Sequence, residues 1–152
     1  MANQIDLAGR TAVVTGGAQG IGRAIAARLL DSGAAVAIWD RDAAAASKTA
    51  DELRRNRRLE ALPVDVTALA DIERARDATI EALGRIDILV NNAGISGPNA
   101  PVAEYPPEAW SQVMRVNLDG PFLCCRAIVP LMIAQNYGRI VNIASVAGKE
   151  GN

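Results

Sequence analysis

The chain of 152 residues has no histidine, two cysteines and few aromatic side chains: two Trp, two Tyr and one Phe. Without histidine, the commonest neutral-pH general acid–base group is missing. Cys124 and Cys125 are adjacent inside an apolar stretch, which excludes a disulfide framework and reads as small core residues of a helix. The formal net charge of −1 gives no basic face for nucleic acid or an anionic membrane surface. No run approaches the roughly 20 apolar residues of a membrane span, so no membrane partner is expected. Near the N-terminus Asp6 stands where a basic-then-apolar signal would not place it. A cytoplasmic protein without a metal site is the expectation.

What is present is apolar and regular. Half the residues are hydrophobic, enough for a real core, and the length suits one domain over residues 1–152. Short apolar runs alternate with helical patterns. Strands are predicted at 11–15, 35–39, 59–64, 86–90 and 139–143, and helices at 21–31, 42–55, 68–83, 107–117 and 118–135. Ile86–Val90 and Ile140–Ile143 are apolar throughout or nearly so, as expected where helices cover both faces of a sheet. Gly33 and Gly84 stand just past helix ends, and Asp42 and Thr67 just before helix starts. The alternation predicts an α/β fold, a doubly wound parallel sheet with right-handed crossovers. Arg54-Arg55-Asn56-Arg57-Arg58 is the one charge cluster, and it reads as a solvated helix end.

The most informative segment is Thr15-Gly16-Gly17-Ala18-Gln19-Gly20-Ile21-Gly22. It follows the first strand and opens the first helix, whose Ile25, Ala26 and Leu29 point inward. Glycines let backbone approach an anion, and a helix N-terminus offers unpaired N–H groups and a positive dipole end. Gly16, Gln19, Gly20, Ile21 and Gly22 are therefore candidate phosphate-binding residues, with an ordinary tight turn as the alternative. The second strand ends at Asp40, 18 residues past Gly22, close to the roughly 20-residue offset of a ribose-binding carboxylate. A carboxylate there accepts from ribose hydroxyls and repels a 2′-phosphate, favouring NAD over NADP. Arg41 partly offsets that repulsion, and a loop or capping acid is the alternative for Asp40.

Further motifs fall in a definite order: Asp65-Val66 after the third strand, Asn91-Asn92-Ala93-Gly94 after the fourth, Asn117 in a helix and Ser145 after the fifth. With the glycine turn, they make the chain resemble the short-chain dehydrogenases/reductases from about Leu7 onward, including 3-oxoacyl-carrier-protein reductases and sugar or polyol dehydrogenases. The resemblance implies a Rossmann-type sheet of strand order 3-2-1-4-5. It implies that Asp65 bonds the adenine amino group and Val66 meets the ring through its backbone. Asn92, Ala93 and Gly94 would let the chain pass close to the cofactor. Ser145 would hydrogen-bond the substrate oxygen, and Asn117 would position a water in a proton relay.

One departure counts against catalysis by these residues alone. The family's proton donor is a Tyr followed four residues later by a Lys, and neither Tyr105 nor Tyr137 has a Lys at that offset. The chain therefore reads as the N-terminal, cofactor-binding part of an NAD-dependent oxidoreductase acting on a small secondary alcohol or ketone. A non-catalytic dinucleotide-binding or interaction module is the alternative. The apolar segment Leu118–Ile133 has too little polar surface for one covered face, which predicts a homo-oligomer, a tetramer by resemblance.

Overall fold

The computed structural model describes residues 5–150, apart from the side chains of Ala147 and Lys149. Five strands are β1 (Thr11–Thr15), β2 (Ala35–Asp40), β3 (Leu59–Pro63), β4 (Ile88–Asn91) and β5 (Arg139–Asn142). Helices α1 (Gly20–Asp31), α2 (Ala43–Arg54), α3 (Leu69–Leu83), α4 (Pro107–Met114), α5 (Gly120–Ala134) and α6 (Ala147–Glu150) complete it. The strands form one parallel sheet in the order β3-β2-β1-β4-β5. In β1, Val13 pairs with Ala37 on one side and Leu89 on the other.

Strand side chains alternate between two cores. Ala12, Val14, Val36, Ile38, Ile88 and Val90 meet Ala26 and Leu30 of α1 and Ala46 and Ala50 of α2. Val13, Ala37, Trp39 and Leu89 meet Ile72, Ala75 and Leu83 of α3 and Cys124, Ala127 and Ile128 of α5. Small alanines at these contacts let the helices lie close to the sheet. Strands covered on both faces need no polar side, which explains the continuous apolar runs of β1 and β2. Trp39 is wholly buried, and its indole Nε1–H donates to Thr79 Oγ1 at 3.1 Å.

The structure corrects several sequence expectations. The fourth strand starts at Ile88 rather than Ile86. Asp87 lies wholly buried just before it, taking Arg10 at 3.1 Å, Arg85 at 2.7 Å and the Thr11 N–H at 3.0 Å. The helices expected at 107–117 and 118–135 are one continuous run, joined by a π-helical turn over Arg115–Asp119. Pro121 and Pro130 both lie inside this run, and Pro121 directly follows the π-helical turn, where the regular i→i−4 bonding is already interrupted. This 28-residue run, whose most apolar stretch has a mean hydropathy of 1.4, is long and apolar enough to cross a bilayer by length and composition, contrary to the sequence reading. Its Gly120, Cys124, Ala127, Ile128 and Met132 are buried against the domain, while Leu118, Phe122 and Ile133 are exposed. Thr67 does not cap α3; its hydroxyl and N–H both donate to Asp65 Oδ1, and Ala68 is the cap position. Asp42 does cap α2, accepting from Ala45 N–H at 2.9 Å. All four residues of β5 are exposed, so helices cover both faces of the inner strands but not of this edge.

Within the arginine cluster, Arg55 and Asn56 take left-handed backbone angles just past the end of α2. Arg57 pairs with Asp31 at 2.8 Å, while Arg58 donates to the Ala82 carbonyl at 3.4 Å. The cluster thus ties α2, α1 and α3 at the foot of the sheet.

Candidate cofactor site

Strand order reverses between β1 and β4, where the connection from β1 leads to β2 on one side and β4 lies on the other. A crevice opens there outside the carboxyl ends of the strands, the ordinary ligand position of such sheets. The cleft at this point measures about 360 Å3, the size of a small-molecule site. Gly16, Gln19, Ile21 and Gly22 of the turn line it, with Asp40 and Arg41 from the end of β2. Asp65 and Val66 after β3 and Asn92, Ala93 and Gly94 after β4 complete the expected set. Gly20 opens α1 and does not line the cleft. The sequence reading missed Trp39, Val64, Ile95 and Val116 in the same wall, because each reads as plain core.

The turn is anchored from both sides. Gly16 N–H donates to the Trp39 carbonyl at 2.7 Å, and Ala18 N–H to Asp40 Oδ2 at 3.0 Å. From the other side, Asn92 Nδ2 donates to the carbonyls of Thr15 and Gly16, both at 3.0 Å. Thr15 Oγ1 accepts from the N–H groups of Asn92 and Ala93, each at 3.0 Å. Two glycines are required by space. Gly16 has a φ of +62°, and a Cβ there would come within 2.9 Å of Ala93 Cα. A Cβ on Gly22 would collide with the Gly16 carbonyl and lie 2.5 Å from Asn92 Nδ2. The first turn of α1 carries no acidic residue, and its N-cap Gln19 makes no side-chain cap bond. Orphan N–H groups and the positive helix end are therefore left for an anion.

Asp40 is half-buried, and each of its oxygens already accepts one backbone N–H, Oδ1 from Asp42 and Oδ2 from Ala18. A carboxylate oxygen has two lone pairs, so each keeps one for a ribose hydroxyl. An acid bonded to its own loop in this way still has acceptor capacity for a ligand hydroxyl. Asp65 is braced similarly: Oδ1 takes Thr67, and its own N–H donates to Asp71 Oδ2 at 3.3 Å. Asp71 in turn is held below the usual carboxylate range by its hydrogen bond from Arg74 and by the Asp65 N–H.

Asn117 and Ser145 do not line the cleft. Asn117 sits in the π-helical turn, its Oδ1 accepting from Ile95 N–H and its Nδ2 donating to the Ile95 carbonyl, both at 2.9 Å. It thereby ties the loop after Gly94 to the long helix. Such turns recur at functional sites because they shift side chains out of helical register. Ser145 is exposed in the segment after β5, its carbonyl accepting from Gly148 N–H at 3.1 Å. The guanidinium groups of Arg10 and Arg139 lie over the Tyr137 ring, 3.6 and 4.8 Å from its centre. That places it at the foot of the sheet, remote from the cleft.

Residues 10–152 match the family model of the short chain dehydrogenases. The chain belongs to this family. It is 46% identical over 145 residues to a 2-dehydro-3-deoxy-L-rhamnonate dehydrogenase (NAD(+)) of Sphingomonas sp. strain SKA58, covering 95% of this chain and 57% of that protein. It is 44% identical over 146 residues to a rhamnolipids biosynthesis 3-oxoacyl-[acyl-carrier-protein] reductase of Pseudomonas aeruginosa, covering 93% of this chain and 57% of the reductase. Among solved structures it superposes on NAD+-bound xylitol dehydrogenase with a TM-score of 0.92 at 38% identity, over 95% of this chain and 56% of that one. The chain thus spans a little over half the length of these relatives.

Proposed function

We propose that this chain is the dinucleotide-binding part of an NAD-dependent oxidoreductase that interconverts a secondary alcohol and a ketone. The carrying observation is Asp40: it lines the same cleft as the glycine turn and retains acceptor capacity on both oxygens. The α1 N-terminus would receive the pyrophosphate, and Gly16 and Gly22 leave it the necessary space. Asp65 and Val66 would hold the adenine, and Asn92, Ala93 and Gly94 would flank the nicotinamide side. Bound there, NAD supplies the hydride-accepting ring. Ser145 would hold the substrate oxygen. Asn117, with a lone pair left on Oδ1 after bonding Ile95, would position a water for proton transfer. Sugar-acid, polyol and acyl-carrier ketone substrates are the classes named for its relatives. A cytoplasmic setting suits the two free thiols, Cys124 and Cys125.

Calorimetric titration with NADH and NADPH tests the cofactor reading. NADH binds the more tightly, and Asp40→Ala narrows the gap between the two. A preference of the wild-type protein for NADPH by about tenfold or more would overturn it and make Arg41 the deciding group. The non-catalytic alternative keeps one observation in its favour: among the described residues, neither a Tyr nor a Lys lines the cleft.

A further inference from the structure

Thr49 has no evident reason to be a threonine. It lies in the middle of α2 between Ala46 and Ala50, on the buried face, and is 5% exposed. A threonine in a helix commonly returns its hydroxyl to the carbonyl four residues back. Thr49 instead reaches out of its helix, and its Oγ1 donates to the Ala18 carbonyl at 2.6 Å. Ala18 is the central residue of the glycine turn and is 4% exposed. Its N–H is held by Asp40 Oδ2 at 3.0 Å. Two successive peptide planes of the turn are thus fixed, one by the acid at the end of β2 and one by a hydroxyl from α2.

The second plane matters for binding. A trans peptide points its C=O and its N–H in opposite directions. With the Ala18 carbonyl turned to Thr49, the Gln19 N–H of that peptide is turned away from α2. Gln19 is the N-cap of α1 and part of the cleft wall. We propose that Thr49 is a positioning residue for dinucleotide binding: its hydroxyl locks the Ala18–Gln19 peptide so that the turn is ready for the pyrophosphate before the cofactor arrives. The inference rests on the cofactor reading above. It adds a residue that touches no ligand and lies outside every glycine-turn motif. It also separates two effects. Thr49 acts on the turn alone, so its loss weakens NADH and NADPH by the same factor. Loss of Asp40 releases the turn and the ribose together, so it changes their ratio.

The test compares Thr49→Ala with Thr49→Ser, which differ by the hydroxyl alone. Dissociation constants are measured for NADH and NADPH by calorimetry and for adenosine, which has no phosphate, by NMR titration. Thr49→Ala should weaken both dinucleotides equally, roughly three- to tenfold, the effect of one modest hydrogen bond. Adenosine binding should stay within about twofold, and Thr49→Ser should restore NADH binding to within about twofold of wild type. A merely structural role would lower the melting temperature without separating phosphate-bearing from phosphate-free ligands. Where Thr49→Ala does not fold, Thr49→Val, which keeps the side-chain volume, carries the same comparison. Equal NADH affinity of the Ala and Ser variants, or an equal loss for adenosine, overturns the inference while wild-type binding leaves the cofactor reading intact. A wild-type protein that binds neither dinucleotide overturns both.

Discussion

Replacing Gly22 by alanine would drive a methyl group into the Gly16 carbonyl and to 2.5 Å from the amide of Asn92. Both neighbours are pinned, since Asn92 Nδ2 bridges the carbonyls of Thr15 and Gly16. Relief therefore has to come from the turn itself. The expected cost is about 1–3 kcal/mol of stability, as for other overpacked sites. NADH affinity should fall more than about tenfold, because the displaced backbone is the surface that meets the phosphates. Denaturant unfolding and titration check the two numbers separately. A variant with wild-type stability and affinity would mean that the helix start can move aside freely. Gly22 was legible in the sequence because its spacing from the strand is stereotyped. Thr49 was not, since a hydroxyl in an alanine-rich helix carries no signal of where it points.

At the scale of an element, the long helix α4–α5 sets which cysteine is accessible. Cys124 faces the core at 1% exposed, while Cys125 next to it is only half-buried and accepts from Asn91 Nδ2 at 3.6 Å. Burial, with a smaller contribution from Cys125, pushes the Cys124 thiol up to about 12 from an ordinary 9.0. The folded state therefore favours the protonated thiol. Its contribution to stability is complete below pH 9.0 and is lost as pH rises toward about 12. Alkylation at pH 8 followed by mass spectrometry should leave Cys124 unmodified in the native protein and label it after unfolding. Labelling of native Cys124 would show that the helix rotates or lifts. The sequence suggested that both cysteines were small core residues. The structure separates them, because adjacent residues of a helix point about 100° apart.

At the scale of the molecule, one side is finished and one is open. The covered side holds β1, β2 and β4 between helices, whereas every residue of β5 is exposed. On the long helix, Phe122 is 61% and Ile133 73% exposed, and Trp110 and Leu118 are exposed as well. An unpaired apolar edge and an apolar helix face both invite association. The 152-residue chain by itself is expected to self-associate, and light scattering at rising concentration checks it. A monodisperse monomer would show that these surfaces need no cover. The same preparation should turn over secondary alcohols poorly with NAD, since a proton donor typically contributes ~10²–10⁴-fold. Robust turnover at verified mass would reveal an acid–base group among these residues.

The sequence by itself determined the strand–helix alternation, the strand order through resemblance, and ten of the eleven cofactor-binding candidates that line the cleft. These are local or order-dependent properties: apolar runs of strand length, glycines at fixed offsets, an acid at a strand end. Only tertiary structure decided that Asp87 is a buried partner of two arginines, that a π-helical turn joins two expected helices, and that Asn117 clasps Ile95. It alone brought Thr49 to Ala18, 31 residues away along the chain. Such contacts depend on how helices seat on the sheet, and the spacing of residues along a chain does not encode the direction in which a buried polar side chain finds its partner.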